Sequence, residues 1–367
     1  MSLTPSRTLR LLTVGAVLTI GSLGLTACGG PASGSGNSGS SEKIGVSLIV
    51  KTTSNPFFVS MQDGAKKAAE SGGIDLKLAA GKADGDEDTQ IQAIENAISK
   101  GDKGILITPN GPAVVDALKK ARDAGLYTIA LDTPPDPANA VDITFATDNF
   151  AAGKAIGEWT AAQLNGKKAV IALIDLFDDK IVSVDYNRDQ GFLSGLGIDV
   201  KDKAKNGDEA KTGKYTGGKG GDYQIVGNKA SKGAEDGGRT AMETLLSHNP
   251  DVNVVYTINE PAAAGAYEAL KSAGKDKDVL IVSVDGGCTG VNNVKSGVIG
   301  ATAQQYPVKM AELGVQAIVD LAKSGKKPSV SEGLDFYNTG VELVTDKAAT
   351  GVKSIDTAAA SKICWGK

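Results

Sequence analysis

Short apolar runs rich in β-branched residues alternate with helical stripes from residue 43 onward. Runs of strand character lie at 44–50, 104–108, 127–131, 143–146, 169–174, 224–226, 252–257, 279–284 and 298–303. Between them apolar residues return at helical spacing. One stripe is Phe58, Met61, Ala65, Ala68 and Ala69, and another is Ile91, Ile94 and Ile98 within 89–100. Val114, Val115, Leu118 and Ala121 mark 113–124, and Ile156, Trp159 and Leu164 mark 150–164. Segments 234–246, 261–273 and 308–322 continue the series. Many strand runs are continuously apolar, as a parallel sheet covered by helices on both faces requires. The alternation therefore reads as doubly wound α/β units. One sheet holding every strand would be large, so two lobes are expected.

The strand ends carry the chemistry. Asp132 follows Leu131, Asn259 follows Ile258, Asp285 follows Val284, and Asn110 lies just beyond Thr108. After the first strand comes Thr52-Thr53-Ser54-Asn55-Pro56-Phe57-Phe58. Asn55 fits a helix N-cap and Pro56 fits the first helical position. If the strands are parallel, these groups crowd one edge, where open α/β sheets bind ligands. Taken singly, each Asp or Asn is an ordinary turn-former, and the two Phe are ordinary core. Taken together they describe a polar site beside flat apolar faces. Sugar hydroxyls both donate and accept, and a sugar ring has C–H faces that suit Phe. An Arg would complete such a site by donating to the ligand and balancing the Asp residues. Arg188 is the candidate, its alternative being a helix-surface pair with Asp185.

Residues 1–27 read as an export signal, with Arg7 and Arg10 ahead of an apolar stretch at 11–25. The stretch ends in Leu25-Thr26-Ala27-Cys28, which resembles a bacterial lipobox, so Cys28 is expected to carry a lipid that anchors the chain to a membrane. The alternative is a plain secretory signal. Residues 28–42 are rich in Gly and Ser and read as a flexible tether. A GxGxxG match at 34–39 is rejected, because no strand precedes it. With Cys28 lipidated, Cys288 and Cys364 remain, and in an exported protein a disulfide between them is favoured over two free thiols.

Other function classes fit poorly. A net charge of −4 argues against nucleic acid. The single histidine, His248, sits at a helix end, and no GxSxG outside the signal, P-loop or His/Cys cluster is present. A carbohydrate-acting enzyme would have to rely on carboxylates. A sugar-responsive repressor would need a DNA-binding head where the signal and tether stand. The segment 199–222, rich in Lys, Asp and Gly, reads as a solvated insertion loop without cation-ligand spacing.

From about Lys43 onward the chain resembles the periplasmic-type sugar-binding proteins of ABC transporters, the group with ribose-binding protein. The resemblance rests on Asn55-Pro56-Phe57-Phe58, Leu131-Asp132, Arg188 with Gly191-Phe192, Asn259-Glu260, Val284-Asp285-Gly286 and Ala301-Thr302-Ala303-Gln304-Gln305. Gly286-Gly287-Cys288 and Cys364-Trp365-Gly366 look more like the fructose-binding members. The resemblance implies a type I periplasmic binding protein fold with two lobes, 43–147 plus 306–338 and 149–305 plus 340–367. A three-segment hinge near 147–149, 304–306 and 336–340 is implied between them. It implies a monosaccharide ligand, a membrane permease as partner, a monomeric state, and neither catalysis nor a cofactor. A sensor role, presenting ligand to a chemoreceptor or histidine kinase, fits the same sequence. The ligand residues it implies are Asn55, Phe57, Phe58, Asp132, Arg188, Asn259, Asp285 and Gln305. Two positions depart from the ribose-binding pattern. Thr133 stands where those proteins have Arg, and Gly233 falls near their second-lobe aromatic. Asp178 and Asp179 are candidate substitutes for the missing contacts, against the default of a solvated loop.

Overall fold

The structure is a computed structural model that describes residues 43–366. The signal, the tether and Cys28 lie outside the described residues.

The chain begins with β1 (Ile44–Val50), α1 (Pro56–Gly72), β2 (Ile74–Ala80), α2 (Glu87–Ser99), β3 (Gly104–Ile107), α3 (Val114–Asp123), β4 (Tyr127–Leu131) and β5 (Ile143–Ala146). There follow α4 (Asn149–Leu164), β6 (Ala169–Asp175), α5 (Ser183–Leu196), β7 (Thr212–Tyr215), β8 (Gly221–Ala230), α6 (Glu235–His248), β9 (Val254–Thr257) and α7 (Glu260–Ser272). The rest is β10 (Leu280–Asp285), α8 (Cys288–Ser296), β11 (Ala301–Gln304), α9 (Pro307–Ser324), β12 (Tyr337–Asn338), β13 (Glu342–Val344) and α10 (Thr357–Ala360).

These elements form two lobes, each built on one sheet. The first sheet has 6 strands in the order β12-β5-β4-β3-β1-β2, all parallel. The second has 7 strands in the order β13-β11-β10-β9-β6-β8-β7, parallel except for β13 and β7 at its edges. Both faces of each sheet are covered. On β1, Val46, Leu48 and Val50 pack toward α1 and α9, while Ile49 packs toward α2 and α3. On β6, Ala169, Ile171 and Leu173 face one core and Val170, Ala172 and Ile174 the other. This two-sided burial explains the uninterrupted apolar runs. The chain passes between the sheets after β5, after β11 and between β12 and β13.

Helices α4 and α5 approach closely through glycines. A Cβ at Gly153 would lie 2.1 Å from the Arg188 carbonyl oxygen, and one at Gly157 2.2 Å from that of Phe192. Gly191 and Gly195 answer from the other helix, at 2.4 Å from the Phe150 carbonyl oxygen and 2.2 Å from that of Lys154. This contact seats Arg188 beside Asn149, the first residue of α4.

The segment 199–222 is not only a loop. It contains β7, which pairs antiparallel with β8 and extends the second sheet. Only Tyr215 of β7 is buried, so the strand has no apolar run to announce it. β2 is a further edge strand, with Asp75 and Lys77 interrupting its apolar residues.

Candidate functional site

Parallel pairing brings the carboxyl ends of the strands together. Asn55 caps α1, its Oδ1 accepting from the Phe57 amide at 2.9 Å, with Pro56 at the first helical position. Asn259 caps α7 in the same way, Oδ1 accepting from the Ala262 amide at 3.0 Å while Nδ2 donates to the Gly233 carbonyl at 3.0 Å. The helix-cap role and a ligand role are compatible at Asn55, because the cap uses Oδ1 and leaves Nδ2. Asp132 and Asp285, at the ends of β4 and β10, have φ of 66° and 148°. Such backbone is uncommon outside glycine, and in proteins this kind of strain gathers at ligand sites.

One of the cavities between the lobes gathers the strand-end groups. All of the ligand residues named from the sequence line it: Asn55, Phe57, Phe58, Asp132, Arg188, Asn259, Asp285 and Gln305. It is tight: only about 30 Å³ is open to the centre of a water-sized sphere, room for about two waters and far below the roughly 300–1,000 Å³ of small-molecule sites. The lobes meet across its mouth. Lys180 donates to the Gly85 carbonyl and to Glu87 Oε2, both at 3.0 Å, and Ser183 Oγ donates to the Pro134 carbonyl at 2.5 Å.

Arg188 is the hub. Its Nε donates to Asn149 Oδ1 at 2.8 Å, Nη1 to the Ile258 carbonyl at 2.9 Å, and Nη2 to Gln305 Oε1 at 3.0 Å. Asp132 Oδ1 is 3.9 Å from Nη2. The surface pairing with Asp185 is not made, because Asp185 accepts from the Leu176 and Phe177 amides instead. Gln305 Nε2 donates to Asp285 Oδ1 at 3.0 Å. Thr133, where ribose binders have Arg, donates its hydroxyl to Asp132 Oδ2 at 2.8 Å and so orients that carboxylate.

The apolar walls differ from expectation. Phe57 and Phe58 meet edge to face at 5.2 Å, and the Trp365 ring meets Phe57 in the same manner at 5.3 Å. Gly233 does not leave a gap. Its φ is 66°, and a Cβ there would lie 2.9 Å from Asp84 Oδ2 and 3.1 Å from both Asn259 Nδ2 and Leu176 Cδ1. The second lobe supplies an aliphatic wall instead, from Leu176, Val184 and Ile258. Asp178 and Asp179 do not reach this cavity; they are exposed, on a separate surface pocket. Asn110 is fully buried and structural. It accepts from the Gly85 amide at 2.9 Å and donates to the Lys51 carbonyl at 3.2 Å and the Asp86 carbonyl at 3.1 Å, fixing the loop that carries Asp84.

Sequence reasoning missed Lys51 and Asp84, both of which line the cavity. Lys51 ends the first strand run in a position that looks like ordinary turn, and Asp84 lies in a loop that looks solvated. Charge directly after a strand marks Lys51 at most, and nothing local marks Asp84.

Burial pushes several carboxylates up. Asp84 rises to about 6, opposed by the charge of Lys51. Asp285 rises to about 7 through burial, opposed by Arg188. Glu260 rises to about 8 through burial and then the charge of Asp285; it lies beneath the site and accepts from the Gly286 and Gly287 amides and the Thr302 hydroxyl. In the second lobe Asp175 rises to about 6 through burial. Asp185 rises to about 8 through burial and the charge of Asp175. Each folded-state value lies above the unfolded one, so between about pH 4 and 8 the folded chain binds more protons than the unfolded chain. Stability therefore falls as pH rises through that window. The ligand-free protein should melt several degrees higher at pH 5.5 than at pH 8. Melting curves in matched ionic strength check this, and a midpoint that climbs toward pH 8 would contradict these burials.

A model of the periplasmic binding protein domain matches residues 44–327. The ribose import binding protein of Haemophilus influenzae is 30% identical over 291 residues, 79% of this chain and 89% of that protein. The D-allose-binding periplasmic protein of Escherichia coli is 25% identical over 305 residues, 81% of this chain and 91% of that protein. Among solved structures, an ABC transporter solute binding protein from Agrobacterium vitis with bound D-fucose superposes with a TM-score of 0.71. It is 25% identical and covers 88% of this chain and 100% of its own. Proteins of this kind bind and deliver solutes rather than transform them. With its family model, its relatives and its two-lobe cleft in agreement, the chain belongs to the periplasmic binding proteins.

Proposed function

We propose that this chain is the extracytoplasmic sugar-binding component of an ABC importer, which closes its two lobes on a monosaccharide and delivers it to a membrane permease. The observation that carries the reading is the convergence, from both lobes, of hydroxyl-binding groups and phenyl faces on one cavity. In this reading Asn55, Asp132 and Asn259 hold hydroxyls, and Arg188, Asp285 and Gln305 bind across the ring from the hinge side. Phe57 and Phe58 cover a ring face. The passages after β5, after β11 and between β12 and β13 act as the hinge, and the sugar shifts the population toward the closed form by touching both lobes. A lipid on Cys28 tethers the chain to the cell membrane, and it acts as a monomer.

D-fructose is the first candidate, on the likeness of Gly286-Gly287-Cys288 and Cys364-Trp365-Gly366 to fructose binders, followed by ribose, mannose and xylose. Allose joins them from the relatives' names. Thr133 in place of Arg and the aliphatic wall in place of a second-lobe aromatic support a geometry unlike that of the ribose binders. Thermal melting against fructose, ribose, allose, mannose, xylose, glucose, galactose and inositol tests this. A ligand at 1,000 times its Kd adds about 4 kcal/mol of stability, so the matching sugar should raise the midpoint clearly above the others. A panel that leaves the midpoint unmoved would end the sugar reading, and a shift with ribose but not fructose would end the fructose one.

A further inference from the structure

At one edge of the second sheet, buried side-chain oxygens gather without a hydrogen-bond partner among the described residues. Asp175 Oδ1 is one, on a residue 3% exposed at the carboxyl end of β6. Asn228 Oδ1 stands on the neighbouring β8, and Asn206 Oδ1 and both oxygens of Glu209 come from the segment before β7. The Glu209 side chain has no exposure, and Lys211 Nζ, 3.6 Å from its Oε1, is half in solvent. These groups are neighbours. Asn228 Nδ2 donates to Asp175 Oδ2 at 2.9 Å and to Asp189 Oδ2 at 3.3 Å. A Cβ on Gly207 would lie 3.3 Å from Asn228 Oδ1, and the Asn206 amide and the Glu209 charge both act on Asp175. Burial, and then the charges of Asp175 and Glu209, push Asp189 well above the carboxylate range, so it keeps its proton. Asp175 and Glu209 remain as two buried anions. Lys205 and Lys229 line the adjoining surface pocket but pair with neither among the described residues. Buried charge of one sign is costly unless a cation joins it.

We infer that Asp175, Glu209, Asn206 and Asn228 form a site for one hard divalent cation, calcium before magnesium, at the edge of the second lobe. Among the described residues no three His, Cys, Asp or Glu side chains stand together as metal ligands, so the donor set is not of the nitrogen and sulfur kind that holds zinc. Two carboxylates and two amide carbonyls are the donors calcium takes, and its roughly 6–8 places leave room for water from the pocket. Magnesium, which demands a stricter octahedron and gives up water reluctantly, fits less well. The double positive charge balances the two anions. Asp189 is not needed as a ligand, because its oxygens already accept from Gln190 at 2.9 Å and from Asn228. The bound ion staples the segment before β7 to β6 and β8. Spacing within 199–222 conceals the site, because half of the donors stand on the two strands. None of the four residues lines the cleft between the lobes, so this site is separate from the sugar reading.

Melting curves and isothermal titration without sugar test the site, on the wild-type chain, Glu209→Gln, Asp175→Asn and the exposed control Glu243→Gln. Each is stripped with chelator and then given calcium chloride or magnesium chloride at matched ionic strength and neutral pH. Calcium should raise the wild-type midpoint by several degrees and titrate as one ion per chain, with magnesium raising it less. Glu209→Gln and Asp175→Asn should each weaken calcium at least tenfold, and Glu243→Gln should leave it unchanged. In chelator, Glu209→Gln should melt at or above wild type, because it removes an unbalanced buried charge; a carboxylate that only braces the loop would lose stability there. If Asp175→Asn does not fold, Glu209→Gln decides alone. A midpoint that neither ion moves overturns the site, and acid stabilisation in its place would show that protons balance the cluster. A calcium response as large in Glu209→Gln as in wild type overturns the assignment of ligands. A larger response to magnesium overturns the calcium preference. No sugar enters these measurements, so their failure leaves the sugar reading standing.

Discussion

Replacing Arg188 by Ala should lower sugar affinity by at least about 100-fold, because truncating one member of a buried, hydrogen-bonded charge set costs roughly 2–5 kcal/mol or more. The guanidinium is 4% exposed and donates to Asn149, to the Ile258 carbonyl and to Gln305. Its loss strands acceptors on α4, at the end of β9 and on the passage after β11. It also removes the cation that opposes the rise of the Asp285 pKa and the one nearest Asp132. Binding and stability should therefore fall together, and a control must separate them. Arg188→Lys keeps the charge but loses the planar fork. It should recover much of the melting midpoint and little of the affinity, if the fork itself faces the ligand. Asp285→Asn supplies the converse, losing charge while keeping shape at a backbone of positive φ that Asn tolerates better than most residues. Titration of each folded variant with the matching sugar gives the answer. Affinity within tenfold of wild type in Arg188→Ala would make Arg188 a structural residue and move the ligand elsewhere in the cleft.

The part of this site that sequence makes legible is the part that obeys local rules. Asn55 and Pro56 announce a helix start by cap chemistry, and Asp132, Asn259 and Asp285 stand at strand ends that apolar runs mark clearly. Helix α5 is different. It is buried on nearly every face, polar residues such as Arg188, Asp189 and Gln190 included, so it shows no amphipathic stripe. Edge strands β2 and β7 escape for the opposite reason, being too exposed to need apolar residues in sequence. Lys51 and Asp84 are invisible because what matters about them is tertiary. Only the fold removes their partners and the solvent together. The same holds for the wall facing the two Phe. The sequence shows a glycine at 233, but not that Asp84 and Leu176 occupy the space beside it.

The tail offers the second large effect. Cys364 is bonded to Cys288, closing a loop of 76 residues. Chain entropy assigns such a loop about 4 kcal/mol, so breaking it should lower the melting midpoint by on the order of 5–10 °C. The consequence reaches the ligand. Next to the bonded cysteine, the Trp365 carbonyl accepts from the Cys288 amide at 2.9 Å, and the indole donates to the Gln305 carbonyl at 3.0 Å. The ring then packs edge-on against Phe57. One short tail thus ties the second lobe, through α8, to the passage after β11 and to the aromatic wall of the first lobe. Releasing it should loosen both Phe57 and Gln305, and affinity should drop severalfold along with the midpoint. Cys288→Ser with Cys364→Ser removes the bond and keeps the tryptophan; Trp365→Ala does the reverse. The serine pair should lose mainly stability, and Trp365→Ala should lose proportionally more affinity, because the ring rather than the bond touches Phe57. Reductant that exposes two titratable thiols without moving the midpoint would show that packing alone holds the tail. Trp365→Ala binding as tightly as wild type would separate the tail from the site.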